Sequence, residues 1–125
     1  MIAGVGIDVV EVERLARALE RRPRLRDRVF DPEEIRYAEG PHYLGRLAAR
    51  FAAKEAVVKA CGGFHGSGWQ DIVVFGEVNR PPRVDVRGPL GAWIQAQGGR
   101  LAVSLTHERS IVVAVAVLER PDRGE

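Results

Sequence analysis

Cysteine and aromatic residues are scarce in this 125-residue chain, and it contains no long apolar run. Its one cysteine, Cys61, excludes an internal disulfide and a cysteine-based metal cage, and it is typical of a reducing cytoplasm. No stretch approaches the roughly 20 apolar residues of a membrane span, and the first residues lack the basic segment of a signal peptide. We therefore expect one cytoplasmic domain over residues 1–125, with no membrane segment and a frayed tail from about residue 120.

Lysine is equally rare. The 19 basic residues comprise 17 arginines and two lysines, and both lysines, Lys54 and Lys59, lie in one segment. A compact ammonium group acts as a point charge on phosphate, whereas arginine presents a planar fork. The placement of the lysines is therefore a hint of phosphate chemistry in that segment.

The spacing of apolar residues predicts an α+β fold. The capping box formed by Asp31 and Glu34, with Pro32 between them, marks the start of a short helix. Helices are expected at about residues 9–20, 41–60 and 89–97, and strands at 2–10, 71–75, 84–86, 101–106 and 111–118. Because helices and strands arrive in blocks rather than alternating strictly, an antiparallel sheet is favoured.

Glu55 is the most informative residue of the long helix. It projects from the helix face that carries Phe51, Ala52 and Val58, and an ionised carboxylate there needs a cation or strong donors. The structural alternative is an ion pair between Glu55 and Lys59, one turn apart. Lys59 itself either stands beside a phosphate or is a solvated helix end.

Asp8 is the second candidate carboxylate, at the junction of the first strand and helix. It either binds a metal ion or caps the helix, with Glu11 completing a capping box. Two carboxylates with few other protein ligands suit Mg²⁺, which keeps waters and takes substrate phosphates as ligands. Zinc is disfavoured because no Cys/His cluster has ligand spacing.

A run of arginines follows the first strand and favours an acidic partner. That partner is an acidic protein or nucleic acid, or else the run is a solvated face. Its members are Arg14, Arg17, Arg21, Arg22, Arg24, Arg26 and Arg28. His107, at a hairpin, is more often incidental than catalytic, and Arg50, away from the apolar stripe, is expected to be an ordinary surface residue.

Four segments, in order, resemble the holo-acyl-carrier-protein synthases, the small bacterial 4′-phosphopantetheinyl transferases. They are residues 4–14 (GVGIDVVEVER), 29–37 (VFDPEEIRY), 50–60 (RFAAKEAVVKA) and 104–108 (SLTHE). The resemblance implies an antiparallel sheet packed with a long buried helix, assembled as a homotrimer with active sites between subunits. It also implies transfer of phosphopantetheine from coenzyme A to a serine of an apo acyl carrier protein, with release of adenosine 3′,5′-bisphosphate.

The resemblance also implies roles for individual residues. Asp8 and Glu55 hold Mg²⁺, and Lys59 stands near the pyrophosphate of coenzyme A. Arg50 and His107 contact its nucleotide. Arg14 and, less directly, Arg21 meet the acidic recognition helix of the carrier protein.

Two other functions compete with this interpretation. A non-enzymatic polyanion or RNA binder would use the arginine run, but it leaves Glu55 unexplained and lacks exposed aromatic residues for base stacking. A coenzyme A-dependent acyltransferase would need an activated nucleophile or a convincing base, and neither is visible. The residues therefore favour phosphopantetheine transfer without nucleic acid as a partner.

Overall fold

The structure, a computed structural model, describes residues 1–76 and 81–122. The last residues of the tail that we expected to fray, 123–125, lie outside this description. Strands and helices follow in the order β1 (Ile2–Glu11), α1 (Val12–Arg21), α2 (Leu25–Val29), α3 (Pro32–Ala38), α4 (Tyr43–Ala60), β2 (Ile72–Phe75), β3 (Arg83–Val86), α5 (Gly88–Ala96), β4 (Arg100–Glu108) and β5 (Ile111–Glu119). A 3₁₀ turn at Trp69–Asp71 precedes β2.

The strands form two antiparallel sheets. The larger has the order β1-β5-β4, and the smaller pairs β2 with β3. In β5 every second residue is buried, as expected for a strand with one face on the core. The predicted α+β class with an antiparallel sheet is confirmed.

Helix α4 lies across the inner face of the larger sheet. Gly4 and Gly6 of β1 permit the close approach, since a Cβ built on either would collide with a main-chain carbonyl of α4, at Ala60 and Ala56 respectively. The helix is half buried by residue count and contributes most of its alanines to the core. A small-residue contact of this kind places the α4 side chains unusually near β1.

The outer face of the same sheet has no described element packed on it. Val5, Ile7 and Val9 of β1 point outward and are 58 to 59% exposed, beside Val113 and Val115 of β5. A contiguous apolar surface of this kind marks an interaction site more often than a free surface.

Strand β1 runs one residue past its predicted end, to Glu11, and this bears on the capping interpretation of Asp8. Pairing with β5 continues to Glu11, which faces Ile111, so α1 starts at Val12 rather than near Val9. The position before the helix belongs to Glu11, which makes no side-chain capping bond. The capping interpretation of Asp8 is therefore wrong.

The structure corrects the predictions for helix α2 and His107 and confirms the capping box of α3. The short helix α2 at Leu25–Val29 was missed, because five residues are too few for a helical period. His107 lies within β4 rather than in a turn, since the strand runs to Glu108 and the hairpin turns at Arg109 and Ser110. The capping box of α3 is present as predicted, with the Asp31 side chain accepting from the Glu33 amide at 3.0 Å.

Within the described residues, no helix is long and apolar enough to cross a membrane. The thiol of Cys61 is free and buried, and burial raises its pKa to about 11. A cytoplasmic location stays a prediction.

Candidate functional site

Strand β1 presents Asp8 to the side of α4. The Asp8 side chain is 11% exposed, and its Oδ1 lies 3.1 Å from Lys59 Nζ. The same ammonium donates to the Ile7 carbonyl at 3.0 Å. Asp8 Oδ2 is buried and has no hydrogen-bond partner. A buried acceptor without a partner is costly, so this oxygen is a candidate ligand for a cation.

Glu55 reaches the same place from α4, half-buried and lining one cavity with Asp8. Burial above all, and then a hydrogen bond to Asp8 and the charge of Asp8, raise the pKa of Glu55 to about 7, while the charge of Lys59 opposes the shift. A proton on Glu55 can be donated to Asp8. When both carboxylates are ionised they repel, and nothing described on the chain satisfies Asp8 Oδ2.

The alternative ion pair between Glu55 and Lys59 is not the one that forms. Among the described residues the ammonium of Lys59 pairs with Asp8 across two elements. Lys59 is half exposed, so this pair is at the rim of the site and remains open to a ligand.

The donor set fits a hard divalent cation. Two carboxylates from β1 and α4 converge, one of them with a free buried oxygen. No third His, Cys, Asp or Glu joins them to form a metal-binding group in residues 1–76 and 81–122. Mg²⁺ accepts such a set because it keeps several waters and takes phosphate oxygens as its remaining ligands, whereas a structural zinc site needs four protein ligands.

The carboxylate pair opens into a cavity of about 460 Å³. Phe51 and Trp69 form part of its wall, with ring centroids 5.3 Å apart. The other lining residues are Val9, Val10, Glu11, Arg14, Leu15, Ala18, Leu19, Leu25, Val29 and Phe30. The cavity lining is therefore mostly apolar, and its charged members are Asp8, Glu11, Arg14 and Glu55.

All seven arginines of the predicted run are exposed. Arg14 borders the cavity that holds the carboxylates. Arg21 lies seven residues further along α1, which at 3.6 residues per turn is nearly the same face. A positive surface therefore leads along α1 to the mouth of the cavity.

A second cleft, of about 990 Å³, lies on the other side of α4 and brings Arg50 and His107 together with Arg46 and His42. Arg50 is buried, so the expectation of an ordinary surface role is wrong. Burial lowers its pKa, its Nη1 donates to the Arg46 carbonyl at 3.2 Å, and its Nε has no partner. A buried guanidinium at a cleft is suited to an anionic ligand.

One chain does not unite the two clefts. Arg50 and Glu55 are five residues apart on α4, which turns their side chains roughly 140° from one another. His107 is in the strand at the opposite edge of the sheet from β1. Asp8, Glu55 and Lys59 thus form one site, and Arg50 and His107 form another.

A buried ion pair was missed at the sequence level. Lys54 Nζ lies 2.6 Å from Glu34 Oε1, and both side chains are 0% exposed. The capping box already explained Glu34, and nothing in the sequence indicated a second partner. The only signal was the presence of a lysine in a chain that otherwise uses arginine.

Comparison with known proteins finds one family that matches nearly the whole chain. Residues 4–116 match the model of the 4′-phosphopantetheinyl transferase superfamily. The holo-[acyl-carrier-protein] synthase of Beutenbergia cavernae is 49% identical over 121 residues, covering 96% of this chain and 100% of the relative.

Solved structures give the same result. The crystal structure of holo-[acyl-carrier-protein] synthase from Neisseria meningitidis superposes with a TM-score of 0.85 at 30% identity, covering 96% of this chain and all of that one. The ACPS–CoA complex from Chronobacterium ammoniagenes superposes with a TM-score of 0.82 at 26% identity, covering 95% of this chain and 98% of that one.

Proposed function

The chain belongs to the 4′-phosphopantetheinyl transferase superfamily and, within it, to the holo-[acyl-carrier-protein] synthases, and from this premise we propose a Mg²⁺-dependent mechanism. Asp8 and Glu55 hold the ion, coenzyme A is the donor, and a serine of an apo acyl carrier protein is the acceptor. Residues 1–125 act as one domain. Family membership supports phosphopantetheine transfer over both the RNA-binding and the acyl-transfer alternatives.

The observation that carries the proposal is the buried, unpartnered Oδ2 of Asp8 beside the Glu55 carboxylate. Two carboxylates held this close are stable together only with a proton or a cation between them. Near neutral pH a divalent cation competes well with that proton, because the pKa of Glu55 is about 7.

The proposed reaction forms one phosphorus–oxygen bond, to the carrier serine, and breaks another, within coenzyme A. The serine oxygen forms a bond to the phosphorus next to the pantetheine. The bond from that phosphorus to the bridging pyrophosphate oxygen breaks, adenosine 3′,5′-bisphosphate leaves with the electron pair of that bond, and the serine proton passes to water. When bound, Mg²⁺ would neutralise the pyrophosphate and polarise the phosphorus.

The chain's own residues position the substrates and neutralise the negative charge of the pyrophosphate. Asp8 and Glu55 would hold Mg²⁺, and the half-exposed ammonium of Lys59, 3.1 Å from Asp8, would offset charge on the pyrophosphate. The cationic surface of Arg14 and Arg21 receives the acidic carrier at the mouth of the cavity.

Arg50 and His107 are assigned to the nucleotide of coenzyme A, and this assignment requires a partner subunit. Their cleft is separate from the carboxylate cavity of the same chain. The exposed apolar surface around Ile7 supports a homotrimer, in which the cleft of one subunit would face the cavity of the next.

The experiment combines purified protein, coenzyme A, Mg²⁺ and an apo carrier protein, and follows the intact mass of the carrier. We expect the carrier to gain one phosphopantetheine, and a chelator to abolish the gain. Calorimetric binding of coenzyme A, measured with and without Mg²⁺, separates loss of donor binding from loss of chemistry.

Glu55→Gln is the informative variant for the metal site, because it keeps the shape and removes the charge. Turnover should fall on the order of 10²–10³-fold, as when one preorganised electrostatic contact is removed. The Arg100→Gln variant, at the exposed start of β4, is the control and should behave as wild type. A Glu55→Gln enzyme with normal turnover at limiting Mg²⁺ would falsify the metal assignment.

A further inference from the structure

The proposed reaction does not use the most deeply buried charged groups of the molecule. Lys54 and Glu34 are both fully buried. Lys54 Nζ lies 2.6 Å from Glu34 Oε1, 3.1 Å from the Trp69 carbonyl and 2.5 Å from the Ile72 carbonyl. These three acceptors use all three donors of the ammonium.

Both carboxylate oxygens of Glu34 also have hydrogen-bond partners. Its Oε1 accepts from the Asp31 amide at 3.0 Å, and its Oε2 accepts from the Val74 amide at 2.9 Å. The pair thus joins the start of α3, the middle of α4, the 3₁₀ turn at Trp69–Asp71 and strand β2. Four separate segments meet at one buried point.

Stability alone does not account for this pair. Replacing a buried ion pair with apolar residues of similar volume is often neutral or stabilising, because desolvation offsets the attraction between the charges. A fully hydrogen-bonded buried pair does, however, fix the relative orientation of the segments that it joins.

Two of those segments, α4 and the 3₁₀ turn, contribute side chains to the wall of the carboxylate cavity. Lys54 immediately precedes Glu55, and consecutive helical residues project about 100° apart, so anchoring Lys54 in the core sets the direction of Glu55. The Trp69 carbonyl is held by the same ammonium, and the Trp69 ring lines the cavity against Phe51.

We propose that Lys54 and Glu34 are positioning residues, whose buried ion pair fixes the rotation of α4 that aims Glu55 at Asp8 and holds Trp69 on the cavity wall. Neither residue contacts the reacting atoms. The inference rests on the proposed function insofar as the site that it positions is the site of transfer.

The test uses the full chain with both charges replaced, Glu34→Leu/Lys54→Met. Trp69 is one of two tryptophans, so a Trp93→Phe background makes its emission the only indole signal. The measurements are urea unfolding, Trp69 emission, Mn²⁺ binding by electron paramagnetic resonance, and the kcat and KM of transfer. Mn²⁺ is the spectroscopic probe because it accepts the same oxygen ligands as Mg²⁺.

We expect the double variant to fold, with its Trp69 emission shifted and its Mn²⁺ affinity weakened about 10- to 100-fold, the usual effect of losing a group that orients a metal ligand. kcat should fall in parallel, while KM for the carrier changes little. The matched control is Arg87→Met, which removes an exposed cation 3.5 Å from Asp31 at the start of the same helix. Its Mn²⁺ affinity and Trp69 emission should match wild type.

A folded double variant with wild-type Mn²⁺ affinity and Trp69 emission overturns the inference, because the pair is then structural only. If the double variant does not fold, Glu34→Gln decides. It keeps the shape and one acceptor, and it should weaken Mn²⁺ binding in the same direction by a smaller factor; no weakening overturns the inference. A wild-type protein that neither binds Mn²⁺ nor modifies a carrier overturns the proposed function instead, and Trp69 emission still decides whether the pair positions the wall.

Discussion

At the scale of single residues, burial and a neighbouring carboxylate change the acidity of Glu55. Burial and, after it, Asp8 raise its pKa to about 7 from the ordinary value of 4.5. The folded, metal-free chain therefore binds more protons than the unfolded chain between these two values.

The contribution of Glu55 to the free energy of unfolding of the metal-free protein should consequently fall as the pH rises from about 5 to about 7. The folded state must release a proton there that it holds more tightly than the unfolded state does. Urea unfolding with a chelator, measured across this range, tests the sign, and Glu55→Gln should flatten that part of the profile. A wild-type profile indistinguishable from that of Glu55→Gln contradicts the prediction.

Lys59 tunes the same group. Its charge is the one influence that lowers the pKa of Glu55, and its ammonium lies 3.1 Å from Asp8. Lys59→Met should therefore move the pH dependence of Mn²⁺ binding to higher pH and reduce kcat by about 10- to 100-fold. Titrations of wild type and variant by electron paramagnetic resonance give the midpoints, and a midpoint shifted to lower pH is the contrary result.

At the scale of elements, the contact between β1 and α4 brings Asp8 to Glu55. Gly6→Ala places a Cβ against the Ala56 carbonyl, so the two elements must separate. We expect a loss of about 1–3 kcal/mol in the free energy of unfolding, the usual effect of overpacking, and weaker Mn²⁺ binding.

Gly45→Ala, on α4, provides the comparison for Gly6→Ala, on β1. A Cβ on Gly45 meets no atom within 4 Å, so this variant should be more stable by about 0.5–1 kcal/mol. Urea unfolding measures both, and equal stability of the two variants would show that the contact is not tight.

Helix α1 is the element that presents the cationic surface. Arg14→Glu and Arg21→Glu should each raise the KM for the carrier about tenfold at low salt, with less effect at high salt, because exposed charges steer association and are screened. Arg100→Glu makes the same charge change at the start of β4, away from that surface, and should leave KM near wild type. Equal effects of all three would indicate only a response to net charge.

At the scale of the whole molecule, the proposed trimer would place the two clefts of one chain in different functional sites. If subunits share each site, mixed oligomers of Glu55→Gln and Arg50→Met chains should regain activity that neither variant has alone. With random mixing, about one quarter of the sites would contain both native groups. Co-refolding at equal concentration and assaying transfer tests this; no recovery would argue for sites within one chain.

The sheet surface around Ile7 supplies a second test of assembly. Ile7→Glu should reduce the mass in solution, measured by light scattering, because a charge would be buried where the apolar faces meet. Ile2→Glu, at the end of the same exposed strand, should have a smaller effect. A wild-type protein that is monomeric under assay conditions contradicts the proposed trimer.

Local periodicity was enough to predict the α+β class and, among the described residues, the five strands and all the helices except α2. Residue chemistry at fixed spacing was enough to predict the capping box of α3. The folded structure was needed to show that Asp8 does not cap α1, that Lys59 pairs with Asp8 rather than Glu55, and that Arg50 is buried. Each depends on which elements pack together: β1 extends because β5 pairs with it, and α4 approaches because two glycines leave room. The ion pair of Lys54 and Glu34 could not be predicted for the same reason, because the two residues are 20 positions apart in sequence and meet only in the folded core.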